Sequence, residues 1–394
     1  MPDKKNTLPR TALIFGAVLT AALCWRWQRI FYLMCADYII SDMPAHVRLA
    51  LGHNDYTLAS VFVRALWSLL GEAKGQTALS LLLTGNQLFG LAALWLLLRQ
   101  MFPKTDGRYL YLAALLSHLC GPWVFPGQTE MYLGVYNGNV LHNMTLLFSR
   151  TPVPPVFLFF FRLWESRRES LRGGDWLGLM LCLLLSTLFK PSFLGAFAPA
   201  VFVMLVWDFC ATKCRGFKNE FLIGFAFIPS LIALVWSSRA LYAADFAGTS
   251  SGVALRVLAP AALLSLLLMY LRGLLLPVWT FATQGRHEDN TLRGRLHILA
   301  GALGVAIFEA LALIETGFRA NDGNFEWGSL ALAPTVFGAA IALLLRMIET
   351  ADTKKRPELI RAAVGIVLLL GHLVIGVYCL SRPGRVGGYD WFYF

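Results

Sequence analysis

One short stretch gathers residues that can move protons: Asp37, Ser41-Asp42-Met43-Pro44, His46, Arg48, His53 and Asp55. An ionised Asp accepts protons, and His titrates near neutrality. Pro44 lies two residues past Asp42, so Asp42 is equally well placed to cap a short helix that begins there. Both readings of Asp42, helix cap and proton acceptor, are open at this point. His46 and His53 are seven apart, but Gly52 should end the helix between them. Two histidines alone are a weak metal signal, and the expectation is a site with no metal and no other cofactor.

A second stretch, 127–150, is dense in amides and rings: Glu130, Tyr136, Asn137, Asn139, His142 and Asn143. Amides hydrogen-bond hydroxyls from both sides, and aromatic faces cover the apolar face of a sugar. With His46, these residues are expected to hold a sugar or an acceptor; a polar turn packed on the first stretch is the plainer alternative. His142 is a second candidate for proton transfer. Asn143-Met144-Thr145 also matches the glycosylation sequon, a short match that identifies little.

A third stretch, 318–328, brings Arg319, Asn321, Asp322, Asn324 and Trp327. Asn-Asp-Gly-Asn is turn chemistry, and Glu315 and Arg319 have the spacing of a helical ion pair. Three cations can meet a lipid phosphate: Lys190, Arg150 and Arg319. Lys190 ends an apolar run, and a lysine at membrane depth is functional by default unless it snorkels to the boundary. The tail from Arg382 to Phe394, rich in aromatics, reads as an interfacial anchor.

The elements that must position these residues are membrane helices. Of 394 residues, 57% are hydrophobic and 14% charged, and the mean hydropathy is +0.60. A soluble domain carries about 25% charged residues. The composition therefore excludes a soluble enzyme, a disordered chain and a disulfide scaffold; the seven cysteines lie mostly inside apolar runs. Runs long enough to span fall at 11–30, 76–99, 109–126, 151–164, 175–190, 192–210, 220–241, 255–281, 296–317, 329–347 and 360–380. The expectation is an all-α polytopic bundle of about 11 transmembrane helices, one integral membrane domain over 1–394.

In the first loop, 31–75, the stretch from Thr57 to Leu70 repeats apolar residues at 58, 61, 62, 65, 66, 69 and 70. These i, i+3, i+4 spacings describe a helix lying flat on the membrane. With the N-terminus in the cytoplasm, 22 of the 34 Lys and Arg fall on the cytoplasmic side. That bias places the C-terminus outside. It also accounts for the net charge of +11 without a nucleic-acid partner. Residues 11–23 read as a retained anchor rather than a signal peptide. Compact loops favour a bacterial plasma membrane, and the three polar stretches share its outer face.

This arrangement resembles the GT-C superfamily of polytopic membrane glycosyltransferases. The resemblance is carried by Asp42 within Ser41-Asp42-Met43-Pro44 and by the amphipathic helix at 57–70, after a cytoplasmic N-terminus and one span. It covers mainly residues 1–100. The first loop has no Asp-Asp or Glu-x-Asp pair, and there is no large C-terminal soluble domain. The resemblance implies a GT-C-like fold with interfacial helices in the first outer loop. It implies a polyprenyl-phosphate sugar as donor and a glycan, lipid or protein as acceptor. Asp42 would then be the base in a direct displacement, with Lys190, Arg319 or Arg150 on the departing phosphate.

Two other classes stay open. A polysaccharide polymerase or ligase of the O-antigen type shares the lipid-linked substrate, but its outer-loop arginines are few here. A transporter or flippase needs polar residues along a path through the spans. Asn86, Gln87, His118, Arg272 and His372 are the candidates, although Asn86, Gln87 and His372 also suit packing contacts. No internal repeat, Walker loop, H-E-x-x-H or G-x-S-x-G is present.

Overall fold

The structure, a computed structural model, describes residues 10–39, 41–52, 57–121, 141, 143–243, 252–317, 324–352 and 354–381. In lipid a backbone must satisfy its own N–H and C=O groups, so apolar runs become helices. In chain order they are α1 (Arg10–Cys35), α2 (Met43–Leu51), α3 (Leu58–Leu70), α4 (Glu72–Met101), α5 (Gly107–Ser117), α6 (Met144–Arg150), α7 (Val153–Ser166) and α8 (Gly173–Phe189). Then follow α9 (Ser192–Ala211), α10 (Phe217–Phe225), α11 (Ile228–Ala243), α12 (Pro260–Gly273), α13 (Leu275–Thr283), α14 (Asn290–Ala312), α15 (Trp327–Thr350) and α16 (Arg356–Ser381). Two short strands, β1 (Gly252–Leu255) and β2 (Leu313–Thr316), pair antiparallel.

The protein is an all-α polytopic membrane bundle, as expected, and each of the eleven apolar runs contains helix within its described residues. Among the described residues, seven stretches are long and apolar enough to cross a membrane, or eight if α12 and α13, bent by 73°, form one span. The other three runs are α1, α5 and α8. α5 has 11 residues, about 16 Å of helix, roughly half a hydrocarbon core. α8 has 17. α1 has 26 residues but carries Arg26 and Arg29 in its second half.

Two boundaries differ from expectation. The second loop stops short of 150, because α6 joins α7 in one span, Met144–Ser166. The helix expected to 317 ends at Ala312, and Glu315 lies on β2. Helical i, i+4 pairing between Glu315 and Arg319 therefore does not apply.

α15 is the central helix, with 89% of its apolar window buried; α16 lies at the periphery with 22%. Small residues let neighbours approach α15 closely: a Cβ on Gly338 would lie 3.1 Å from Leu94. α16 is held by a backbone contact. Gly121 N–H donates to His372 O at 2.9 Å, and His372 Nδ1 lies 2.5 Å from Gly121 O. Leu276 N–H, which only donates, meets His372 Nε2 at 3.5 Å. His372 is therefore a fully buried structural bridge between α16, the end of the α5 segment and the first turn of α13.

The first loop forms two helices, α2 and α3. α3 buries Ala59, Ser60 and Val63 on one side, and Arg64 donates to Ala50 O of α2 at 3.2 Å. Gly71, at φ +74°, makes the turn into α4 that only glycine adopts freely. At the opposite end of the bundle Asp208 pairs with both Arg167 and Arg168, Arg168 also pairs with Glu220, and Arg295 pairs with Glu165.

Candidate active site

Asn143 joins the first loop to the bundle. It is the N-cap of α6, with its Oδ1 accepting from Leu146 N–H at 3.0 Å and from Thr145 Oγ1 at 2.8 Å. Those two donors fix the amide, so Nδ2 must face the other way. There it donates to Asp42 Oδ2 at 3.1 Å and to His46 Nε2 at 3.3 Å. An amide nitrogen only donates, so His46 accepts at Nε2 and carries its proton on Nδ1.

Asp42 occupies the N-cap position of α2, but its side chain makes no capping bond. Ser41 Oγ takes the Met43 N–H instead, at 3.2 Å. The cap reading of Asp42 thus gives way: the half-buried carboxylate is turned toward Asn143. Asp42 and His46, one helical turn apart, share that face of α2. Asn143 is 4% exposed and all its hydrogen-bonding positions are engaged. In this arrangement its side chain holds Asp42 and His46. Among the described residues no three His, Cys, Asp or Glu gather as a metal site requires.

Arg150 is the last residue of α6, about 10 Å further along the helix than Asn143. It was expected in an outer loop and instead lies inside a span, where its guanidinium donates to Gln87 Oε1 of α4. Gln87 Nε2 is then buried without a partner. A cavity of ≈ 30 Å³ opens beside Arg150, lined by Ser117, His118, Leu330 and Pro334 among others. A second, of ≈ 10 Å³, touches Gln87, His118, Thr151 and Thr335. The first is large enough for a water or two, and the second is at the limit for one. Polar groups reach both because helices are interrupted here. Pro334 removes the N–H that would bond Leu330 O. At the α6–α7 junction, Asn86 Nδ2 bonds Leu147 O at 2.7 Å and Thr151 Oγ1 bonds Asn86 O at 3.2 Å.

Lys190 follows α8 with extended dihedrals. Its depth is set by Phe189, which stacks on Phe148 of α6 at 4.9 Å, and by Ser186 Oγ donating to Ser149 O at 2.7 Å. Phe62 of α3 packs on both rings. Lys190 thus lies near the level of Phe148, between Asn143 and Arg150. Its Nζ sits 4.5 Å from the Trp327 ring centroid. Trp327 is 5% exposed, so it backs the lysine and offers no open sugar platform. Asn324 Nδ2 donates to Glu315 Oε2 at 2.7 Å, and its carbonyl accepts from Ser192 Oγ at 3.3 Å. Glu326 pairs with Arg256 at 2.7 Å. Burial pushes the Glu326 carboxyl up, and Arg256 pulls it part of the way back.

The structure therefore brings Asp42, His46 and Asn143 together, sets Lys190 against Trp327, and places Arg150 deeper. Glu130, Tyr136, Asn137, Asn139, His142, Arg319, Asn321 and Asp322 lie outside the described residues. Gln87 and His118 join the site through Arg150; their signal in the sequence was polarity inside apolar runs. Arg256 and Glu326 gave no such signal. Chemically, the arrangement can accept a proton at one end and hold an anion further in.

No protein-family model matches the chain, and no curated protein does. Among solved structures, ArnT from Cupriavidus metallidurans, bound to undecaprenyl phosphate, is similar at a TM-score of 0.50 and 11% sequence identity, covering 95% of this chain and 75% of that one. At that identity the likeness is one of fold, and the fold of this chain is GT-C-like.

Proposed function

We propose that the chain is a membrane glycosyltransferase. It moves a sugar from a polyprenyl-phosphate donor to a glycan, lipid or protein acceptor on the extracytoplasmic face. One observation carries the reading: the Asp42 carboxylate is held by a buried amide at one end of α6, and Arg150 stands at the other. The solved structure that shares the fold holds undecaprenyl phosphate, which supports a polyprenyl phosphate as carrier.

In this reading Asp42 takes the acceptor hydroxyl's proton while that oxygen attacks the anomeric carbon. The bond from that carbon to the phosphate oxygen breaks, and its electron pair stays on the lipid phosphate. Reacting atoms start about 3–3.5 Å apart and the base sits one hydrogen bond beyond, about 2.7 Å. Base and anomeric carbon are then about 6 Å apart, within the roughly 10 Å length of α6. Lys190 and Arg150 stabilise the departing phosphate, with Arg319 as a third candidate. Glu130, Tyr136, Asn137, Asn139, Asn321, Asp322 and Asn324 are proposed sugar and acceptor contacts, and His142 a second proton carrier.

The test compares lipid-linked sugars and surface glycans by mass spectrometry in cells carrying the native protein, none, or Asp42→Asn. The expected result is that both altered strains accumulate one polyprenyl-phosphate sugar and lose one glycan residue, with the variant made at the native level. A finished lipid-linked oligosaccharide building up instead would point to a polymerase, ligase or flippase. Native behaviour of Asp42→Asn would remove Asp42 from the chemistry.

A further inference from the structure

The β1 strand carries a row of apolar side chains that nothing among the described residues covers. Val253 is 52% exposed, Leu255 76% and Val257, just past the strand, 95%. A spacing of two is the period of one strand face. Register pairs Val253 with Glu315 and Leu255 with Leu313, so these four share a face. On the β2 side Glu315 is 4% exposed beneath Asn324 and Leu313 is half-buried. On the β1 side the face is bare. Arg256, between the exposed residues, points inward: its N–H donates to Ala312 O at 2.7 Å and its guanidinium to Glu326.

The ribbon's position says what covers the row. β1 lies between the span Phe217–Arg239 and α12, on the end of the bundle that holds Lys190 and Trp327. α12 then runs into the membrane with Leu264, Leu267, Leu268 and Leu271 exposed. The bare row is thus continuous with a lipid-facing surface and stands where the spans emerge. A two-stranded ribbon with an open apolar face is marginal in water.

We propose that the β1 row is a membrane-inserted edge whose partner is the acyl chains of the adjacent leaflet. Val253, Leu255 and Val257 dip into lipid. The Arg256–Glu326 pair links that anchor to the residue before Trp327, and so to the wall behind Lys190. The proposal stands apart from the proposed reaction, because it concerns depth in the bilayer and not turnover.

The test places an environment-sensitive fluorophore on a single cysteine at Leu255 or Val257. The background is the full-length chain with all seven native cysteines replaced by serine or alanine, reconstituted in liposomes. Val257 is nearly fully exposed, so labelling it disturbs no packing. Lys355→Cys is the water-facing control. Expected are blue-shifted emission and at least twofold quenching by acyl-chain spin-labelled lipid at 255 and 257, with neither at 355. Water-like emission and ready reaction with charged thiol reagents at 255 and 257 would overturn the proposal. So would a blue shift without lipid quenching that appears only at high protein density, which would mean that a second copy covers the row.

Discussion

Asn143 makes two contributions that substitution can separate. As N-cap of α6 its removal costs about 1 kcal/mol. As the donor to Asp42 and His46 it fixes the carboxylate. Asn143→Ser keeps a capping oxygen but is too short to reach Asp42. We expect Asn143→Ser to fold with a melting temperature near native, and transfer to fall roughly 10- to 100-fold, the scale of a misplaced catalytic group. A rate within twofold of native in reconstituted membranes would show that Asp42 needs no holder. Asp42 was legible as a candidate because its neighbours Ser41 and Pro44 are local. The bond from Asn143 to Asp42 was not legible, because the two lie 101 positions apart, a distance no spacing argument bridges. Arg150 read as a loop residue for a similar reason: Gln87, which holds it, is 63 positions away.

Helices were legible wherever the apolar period ran long, and the amphipathic run at 57–70 became α3 almost residue for residue. The β1–β2 pair was not, since four-residue strands some 60 positions apart pair only once α11, α12 and α14 have placed their ends. Helix contacts also rest on glycines whose role appears only in the packed bundle. A Cβ on Gly376 would lie 1.6 Å from Leu119 O, a backbone atom that cannot step aside. Gly376→Ala is expected to destabilise by about 3 kcal/mol or more, the upper end for overpacking. Gly224→Ala, with nothing within 4 Å, should be neutral or gain up to about 1 kcal/mol from helix propensity. Unfolding midpoints in detergent read both, and equal midpoints would contradict the α5–α16 contact. Asp289 caps α14 through Leu292 N–H at 2.9 Å, and that bond holds its carboxyl below the ordinary value. Its stabilisation is therefore complete above about pH 5 and is lost as pH falls past the usual carboxylate range. Asp289→Ala should cost about 1 kcal/mol at pH 7, with no change in that cost between pH 6 and 8.

Across the whole molecule, charge divides the bundle into two unlike ends. Asp42, Lys190 and Trp327 stand at one. At the other, Arg167, Arg168, Asp208 and Glu220 tie α7, α9 and α10 together, so the Arg and Lys of those loops cannot lie on opposite sides of a membrane. From the excess of Lys and Arg there we propose that it is the cytoplasmic end. Cys214 is a free, exposed thiol beside Arg215 in that end. Ala45, exposed on α2, is three residues from Asp42. A membrane-impermeant maleimide applied to intact cells should therefore label Ala45→Cys and spare Cys214. Permeabilised cells should show both labelled. The reverse pattern would turn the protein over and set Asp42 facing the cytoplasm. A soluble nucleotide sugar would then be as available as a lipid-linked one, and the case for a polyprenyl-phosphate donor would lose its main support. If the predicted pattern holds, the acceptor must reach Asp42 from outside, where soluble nucleotide sugars are absent. A donor carried across on a lipid then becomes a requirement of geography as well as of fold.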